Sequence, residues 1–195
     1  METIILASNN EHKLKEFREI LKQYNVLGLK DIGFTDDIDE TGKTFEENSM
    51  IKVNAIVDFL KTKNLNYIVI ADDSGLSVDS LGGAPGVNSA RYAGNHNDKA
   101  NRDKLLKELE GKERKANFTC AISVCFKNGV RKLYVGKTYG EIATEERGKT
   151  DFGYDCIFYS SDLHKTFGEA SEEEKNAISH RGRAIQEMLK DFKSL

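Results

Sequence analysis

The chain has 195 residues, 38% of them hydrophobic and 31% charged, which suits one large soluble domain or two small lobes. Its formal net charge of -3 excludes bulk binding to nucleic acid, which calls for a basic surface. Its three cysteines, Cys120, Cys125 and Cys156, are odd in number and lack CxxC spacing; this excludes a disulfide frame or a zinc site and points to a reducing compartment, with cytoplasm the expectation.

Thr3 to Ala7 is a short apolar run and reads as an opening strand without a basic leader. No apolar run in the chain nears the roughly 20 residues of a membrane span. Ser8-Asn9-Asn10 supplies helix caps. Leu14, Phe17, Leu21 and Tyr24 then recur at helical spacing, predicting a helix from about Glu11 to Tyr24. A polar loop between a strand end and a helix N-terminus offers amides and a favourable dipole to phosphate, and Lys13 adds a positive charge. An ordinary capped helix with a solvated lysine explains the same residues. The glycine pattern of a P-loop is absent.

Val26 to Ile32 reads as a second strand. The acidic loop DDIDE ends at Glu40, a carboxylate with no local partner: either a solvated loop residue or a metal ligand. A helix is expected from near Phe45 to about Lys63, with Met50, Val53, Ile56, Val57 and Leu60 as its core stripe. Thr44 with Glu47 three residues on matches a capping box.

The central stretch IADDSGLSVDSLGGAPG follows. Its apolar run, Tyr67 to Ala71, feeds into Asp72 and Asp73, then Ser74 and Gly75, and a second alternation through Leu76 and Val78. The pattern predicts a buried strand that ends at the two carboxylates, where the chain bends. Ligands gather at the carboxyl ends of strands in α/β sheets. Two adjacent carboxylates repel, and a magnesium ion would compensate them, drawing its other ligands from phosphate and water. A polar turn with Asp72 capping backbone amides accounts for the same residues.

Asn97 to Glu110 has helical spacing. Ala116 to Phe126 alternates as a strand, with Cys120 and Cys125 on opposite faces. Asn128-Gly129 marks a hairpin, with a return strand towards Ile142. Gly148 to Tyr159 reads as a loop presenting an aromatic ring, or as an aromatic-lined core turn. A final helix is expected from about Ser171 to Phe192, with Lys175, His180, Arg181 and Arg183 off its buried stripe.

The pieces SNNEHKLKEF, TFEENSMIKV, ADDSGLSVDSLGGAPGVNSARYAG, DFGYD and EKNAISHRGRA span nearly the whole chain. Together they resemble the inosine/xanthosine triphosphate pyrophosphatase family. The resemblance implies an α/β fold, a mixed central sheet flanked by helices, in a single domain over residues 1–195 with two lobes and a nucleotide cleft between them. It also implies a homodimer. Its activity would be magnesium-dependent hydrolysis of ITP, dITP and XTP to monophosphate and pyrophosphate, keeping these nucleotides out of nucleic acid, with no direct nucleic-acid or membrane binding.

Carried over onto matching positions, Ser8, Asn9, Asn10, Glu11, His12 and Lys13 would hold the triphosphate. Glu40 and Asp73 would bind magnesium, with Asp73 also acting on the attacking water, and Ser74 would contact substrate. Phe152, Gly153, Tyr154 and Asp155 would form the wall of the base pocket. Lys175, His180 and Arg181 would complete the base and phosphate contacts. The family commonly has proline after FGYD, where this chain has Cys156, so the stiffness of that wall must come from elsewhere. The alternatives are a less selective nucleotide phosphohydrolase, or a nucleotide-sensing module without turnover; the carboxylates Glu40, Asp72 and Asp73 argue against the sensor.

Overall fold

The apolar runs and helical stripes become alternating strands and helices. The computed structural model describes residues 1–94, 96–149 and 152–192; Asp151, the first residue of the DFGYD motif, lies outside them. Two compact units divide the described chain. The first draws on Met1–Asp73, Ala121–Val135 and Ala184–Leu195, the second on Ser74–Cys120 and Gly136–Arg183. No helix among the described residues is long and apolar enough to cross a membrane.

In the first unit, β1 (Glu2–Leu6) leads into α1 (Glu11–Ile20) and β2 (Tyr24–Leu27), which pairs parallel with β1. The helix α1 stops a turn before the expected Tyr24. Leu21 closes it by donating its N–H to the Phe17 carbonyl, and the chain turns at once, so Tyr24 starts β2 and sets its ring edge-on to Phe192. The expected strand from Val26 to Ile32 is correspondingly short, because Lys30–Ile32 winds into a single 3-10 turn. Helix α2 (Phe45–Thr62) follows the predicted stripe. Its Val53, Ile56 and Leu60 pack in one core with Ile5, Val69 and Cys125.

Strand β3 (Ile68–Val78) pairs parallel with β1 from Ile68 to Ile70. Contrary to the predicted bend, β3 continues unbroken through Asp72, Asp73 and Ser74. Its neighbour β1 is the strand that ends here. Ala7 donates to the Ile70 carbonyl and the chain then leaves the sheet at Ser8. The carboxylates therefore lie just past the carboxyl end of β1, with lysine partners that let the strand carry them.

In the second unit, α3 (Asp98–Glu108) is capped by Asn97. Strand β4 (Lys115–Cys125) is buried along nearly its whole length rather than on alternate residues, so its alternation separates two covered faces. The Asn128-Gly129 turn connects it to β5 (Arg131–Ile142). Short antiparallel strands β6 (Phe158–Ser160) and β7 (Lys165–Thr166) complete one mixed sheet in the order β2-β1-β3-β4-β5-β6-β7.

The expected terminal helix is two: α4 (Glu172–Ile178) and α5 (His180–Phe192). Ser179 adopts an extended conformation and accepts a hydrogen bond from the Gly182 N–H at 3.0 Å. A Cβ on Gly182 would collide with the Asn176 carbonyl, so only glycine permits the close approach of α5 to the end of α4.

Candidate active site

The sheet order places Ser8–Lys13 and the Asp72-Asp73 pair within the first unit. Asn10 caps α1 as the sequence predicts: its side chain accepts from the N–H groups of His12 and Lys13 at 3.0 and 3.2 Å. Ser8 Oγ accepts from the Asn10 N–H. The helix start is thus already organised, and two of its amides are engaged by Asn10. Lys13 is not solvated. Its Nζ lies 3.1 Å from Asp72 Oδ2, and the Asp72 carboxylate is fully buried. Glu11 lies outward, 3.8 Å from Lys30.

Two residues of α2 that local patterning passes over organise the acidic cluster. Lys52 sends Nζ to Glu40 Oε1 at 2.8 Å, to the Asp72 carbonyl at 2.6 Å and to within 3.8 Å of Asp73 Oδ1. Glu40 therefore has a partner distant in sequence. Asn48 donates from Nδ2 to Asp73 Oδ2 at 3.0 Å and accepts the Gly42 N–H on Oδ1 at 2.8 Å. One amide side chain ties the Glu40 loop to the strand bearing Asp73. A Cβ on Gly42 would come 2.6 Å from Asn48 Oδ1, so the loop approaches the helix as only glycine allows.

The expected capping box is half formed. Thr44 accepts from the Glu47 N–H, while the Glu47 carboxylate accepts from Lys43 N–H instead of Thr44. The sequence signal for Asn48 and Lys52 is their i, i+4 spacing on the helix face that also carries Val53 and Ile56.

Three carboxylates, Glu40, Asp72 and Asp73, meet two ammonium groups, Lys13 and Lys52, which leaves one negative charge. Burial raises the Asp73 pKa above its ordinary 3.8; Lys52, Lys13 and the Asn48 donor oppose that rise, and Glu40 adds to it. Burial alone would lower the Lys52 pKa, but Asp72, Asp73 and Glu40 outweigh it and the group is held above 10.5. Lys52 is an ammonium at neutral pH.

A divalent cation fits this donor set. Glu40 and Asp73 already converge on one cationic centre, Lys52 Nζ, and the cluster retains negative charge. Among the described residues no three histidine, cysteine, aspartate or glutamate side chains gather to hold a metal. An ion here would rest on few protein carboxylates and take further oxygens from phosphate and water, the habit of magnesium.

The second unit holds the remaining predicted residues. Arg181 is 2% exposed and its Nη2 donates to Ser74 Oγ at 3.0 Å. His180, also buried, stacks on Phe118 with ring centroids 4.7 Å apart. Lys175 pairs with Asp155 Oδ2 at 2.7 Å and lies over the Phe152 ring, 5.3 Å from its centroid. These three basic side chains are buried rather than solvated.

The FGYD turn is braced from α3. Asp98 accepts the Gly153 N–H at 2.8 Å, and Arg102 donates to the Gly153 carbonyl at 2.9 Å while holding Glu146. Tyr154 is buried, donates its hydroxyl to the Ser89 carbonyl at 2.7 Å, and has its pKa raised chiefly by burial. These contacts supply the stiffness that Cys156 does not. Phe152 and Gly153 stay half-exposed, whereas Tyr154 and Asp155 anchor the turn from within.

Residues 4–191 match the Ham1 family. The chain belongs to that family. It is 50% identical to a dITP/XTP pyrophosphatase of Clostridium perfringens, with 100% of this chain and 99% of the relative covered. It is 48% identical to a dITP/XTP pyrophosphatase of Bacillus subtilis, with 97% and 96% covered. Among solved structures, the Staphylococcus aureus Ham1 protein superposes with a TM-score of 0.85 at 42% identity, covering 99% of both chains. A HAM1 protein of Coxiella burnetii gives 0.86 at 39% identity, covering 100% of both. Membership of the Ham1 family accords with the mixed α/β sheet and its flanking helices.

Proposed function

We propose that this chain hydrolyses ITP, dITP and XTP between the α and β phosphates, releasing a nucleoside monophosphate and pyrophosphate. The observation that carries the reading is the cluster of buried Asn48, Lys52 and Asp73 with half-buried Glu40, in a chain similar along its length to dITP/XTP pyrophosphatases.

Glu40 and Asp73 would hold Mg2+, which would neutralise charge on the triphosphate. Without that cation a polyanionic substrate meets a net negative cluster. Ser8, Asn9, Asn10, the backbone N–H of Glu11, His12 and Lys13 take the phosphates, with Lys13 as the point charge and the Glu11 carboxylate outward beside Lys30. Asp73 accepts a proton from the attacking water. Asn48 keeps its Oδ2 oriented, and Lys52 keeps it ionised.

Ser74 and Arg181 act as a bonded pair, Phe152 stacks on the purine, and Gly153, Tyr154 and Asp155 keep the turn in place. Lys175, His180 and Arg181 supply donors to the 6-oxo group, an acceptor where adenine has a 6-amino donor. The enzyme works in the cytoplasm as a homodimer and removes these nucleotides before they enter nucleic acid.

A kinetic panel tests the reading. kcat/KM for dITP, ITP and XTP should exceed that for ATP by about 10⁴-fold, the discrimination a site built on hydrogen bonds reaches. Equal kcat/KM for ITP and ATP would favour a less selective nucleotide phosphohydrolase.

A further inference from the structure

The motif ADDSGLSVDSLGGAPGVNSARYAG runs on well past the residues given roles above. Its second half has no part in the reaction just proposed. In the second unit this half forms a loop after β3 that ends in a 3-10 turn, Gly86–Arg91. Ser89 is the buried residue of that turn, at 7% exposure.

Ser89 is bonded in three directions. Its Oγ accepts the Leu76 N–H at 2.9 Å and donates to the Gly86 carbonyl at 2.6 Å. Its carbonyl accepts the Tyr154 hydroxyl at 2.7 Å. The bond to Gly86 alone would close the local turn. The other two reach partners 13 and 65 positions away. They join β3, two residues after Ser74, to the inside of the FGYD turn. Side chains two apart on a strand share a face. The backbone held at Leu76 therefore also aims Ser74, whose Oγ accepts from Arg181 Nη2 at 3.0 Å. All of these residues lie in the second unit.

Helix α3 clamps the same loop. Asn101, 1% exposed, accepts the Ala93 N–H at 2.7 Å and donates to the Ala90 carbonyl at 3.1 Å. Arg102, next on the helix, holds the Gly153 carbonyl. Loop and turn are thus fixed by neighbouring residues of one helix and tied to each other at Ser89.

We propose that Ser89 is a positioning residue for nucleoside recognition. It acts through Leu76 and Tyr154 rather than on the substrate. It holds the Phe152 wall and the Ser74–Arg181 pair in one register, so that a purine stacked on the ring presents its 6-oxo edge to the donors that read it. The proposal rests on the functional reading above and deepens it.

Steady-state kinetics with ITP and ATP in Mg2+ test this on the full chain, with circular dichroism to confirm folding at the assay temperature. Ser89→Ala should raise KM for ITP about tenfold, the order of effect of one lost hydrogen bond. KM for ATP should rise less, so the ITP-to-ATP ratio of kcat/KM narrows, while kcat, set by the first unit's residues, falls little. Tyr154→Phe cuts the same tie from its other end and should act in the same direction; it carries the test should Ser89→Ala fail to fold. The double variant should be little worse than the worse single one, because two cuts in one tie are not additive. Ser80→Ala removes a serine bond to the Glu113 carbonyl in the same unit and should leave the ratio unchanged. A folded Ser89→Ala or Tyr154→Phe enzyme with wild-type KM and ratio would overturn the proposal, as would a loss confined to kcat or an equal narrowing in Ser80→Ala. Multiplied effects in the double variant would overturn the single tie. Wild-type enzyme that turns over ITP and ATP alike would instead overturn the functional reading beneath it.

Discussion

Asp73 combines two demands that ordinarily conflict. It must be buried enough for its pKa to rise, yet ionised at neutral pH. Lys52, Lys13 and Asn48 reconcile them. Asp73→Asn preserves shape and removes both charge and basicity, so kcat should fall at least about 10²-fold with folding retained, since general base catalysis contributes about 10² to 10⁴-fold. Asp72→Asn should be milder, with its effect through Lys13.

The raised pKa also predicts a pH profile. The acid limb of kcat/KM should lie above 3.8, the ordinary aspartate value. Asn48→Ala removes a donor that favours the charged form, so it should move that limb higher still. Asp73 ionises less readily folded than unfolded. Its contribution to stability is therefore fully present below the unfolded pKa and lost as pH rises through the folded one. Thermal denaturation of wild-type and Asp73→Asn protein across that window should show a shallower loss in the variant.

At the scale of elements, α2 carries much of the first unit's site, and its dependence on Gly42 is a packing matter. Gly42→Ala forces a methyl against Asn48, and overpacking of this kind costs about 1–3 kcal/mol. The cost falls on the link that Asn48 makes between the Glu40 loop and Asp73, so kcat should drop more than KM rises, and melting should shift modestly. A Gly42→Ala enzyme with wild-type kcat would show that the loop approach is incidental.

In the second unit, the braced FGYD turn predicts different effects from two neighbours. Phe152→Ala should weaken ITP and ATP alike, because a ring stacks on any purine. Arg181→Ala should narrow the ITP-to-ATP ratio of kcat/KM. An unchanged ratio would remove Arg181 from base reading.

Elements with their own periodicity were legible in the sequence: the stripe of α2, the caps Asn10 and Thr44, and the Asn128-Gly129 hairpin. Features decided by distant partners were not. Adjacent aspartates read as a strand end because local patterning does not show Lys13 and Lys52 arriving to neutralise them. Lys175, His180 and Arg181 read as surface residues because Asp155, Phe118 and Ser74, which bury them, lie 20 to 107 positions away. The break at Ser179 hid under an apolar stripe that runs on past it. Motif matching located many of these residues without their contacts, and it passed over Asn48 and Lys52, which sit within the matched segment TFEENSMIKV.

For the whole molecule, the proposed reaction joins a net negative phosphate end, a cation that would make it usable, and cleavage that leaves two phosphates together. Excess EDTA should abolish turnover, Mg2+ should restore it, and Ca2+ should support little, since it tolerates looser geometry. The most direct measurement is the product balance from dITP in Mg2+, with pyrophosphate and orthophosphate quantified side by side and the same reaction run in EDTA. The account predicts one pyrophosphate per dIMP, no orthophosphate, and no products in EDTA. Orthophosphate as the primary product, or undiminished turnover in EDTA, would contradict it.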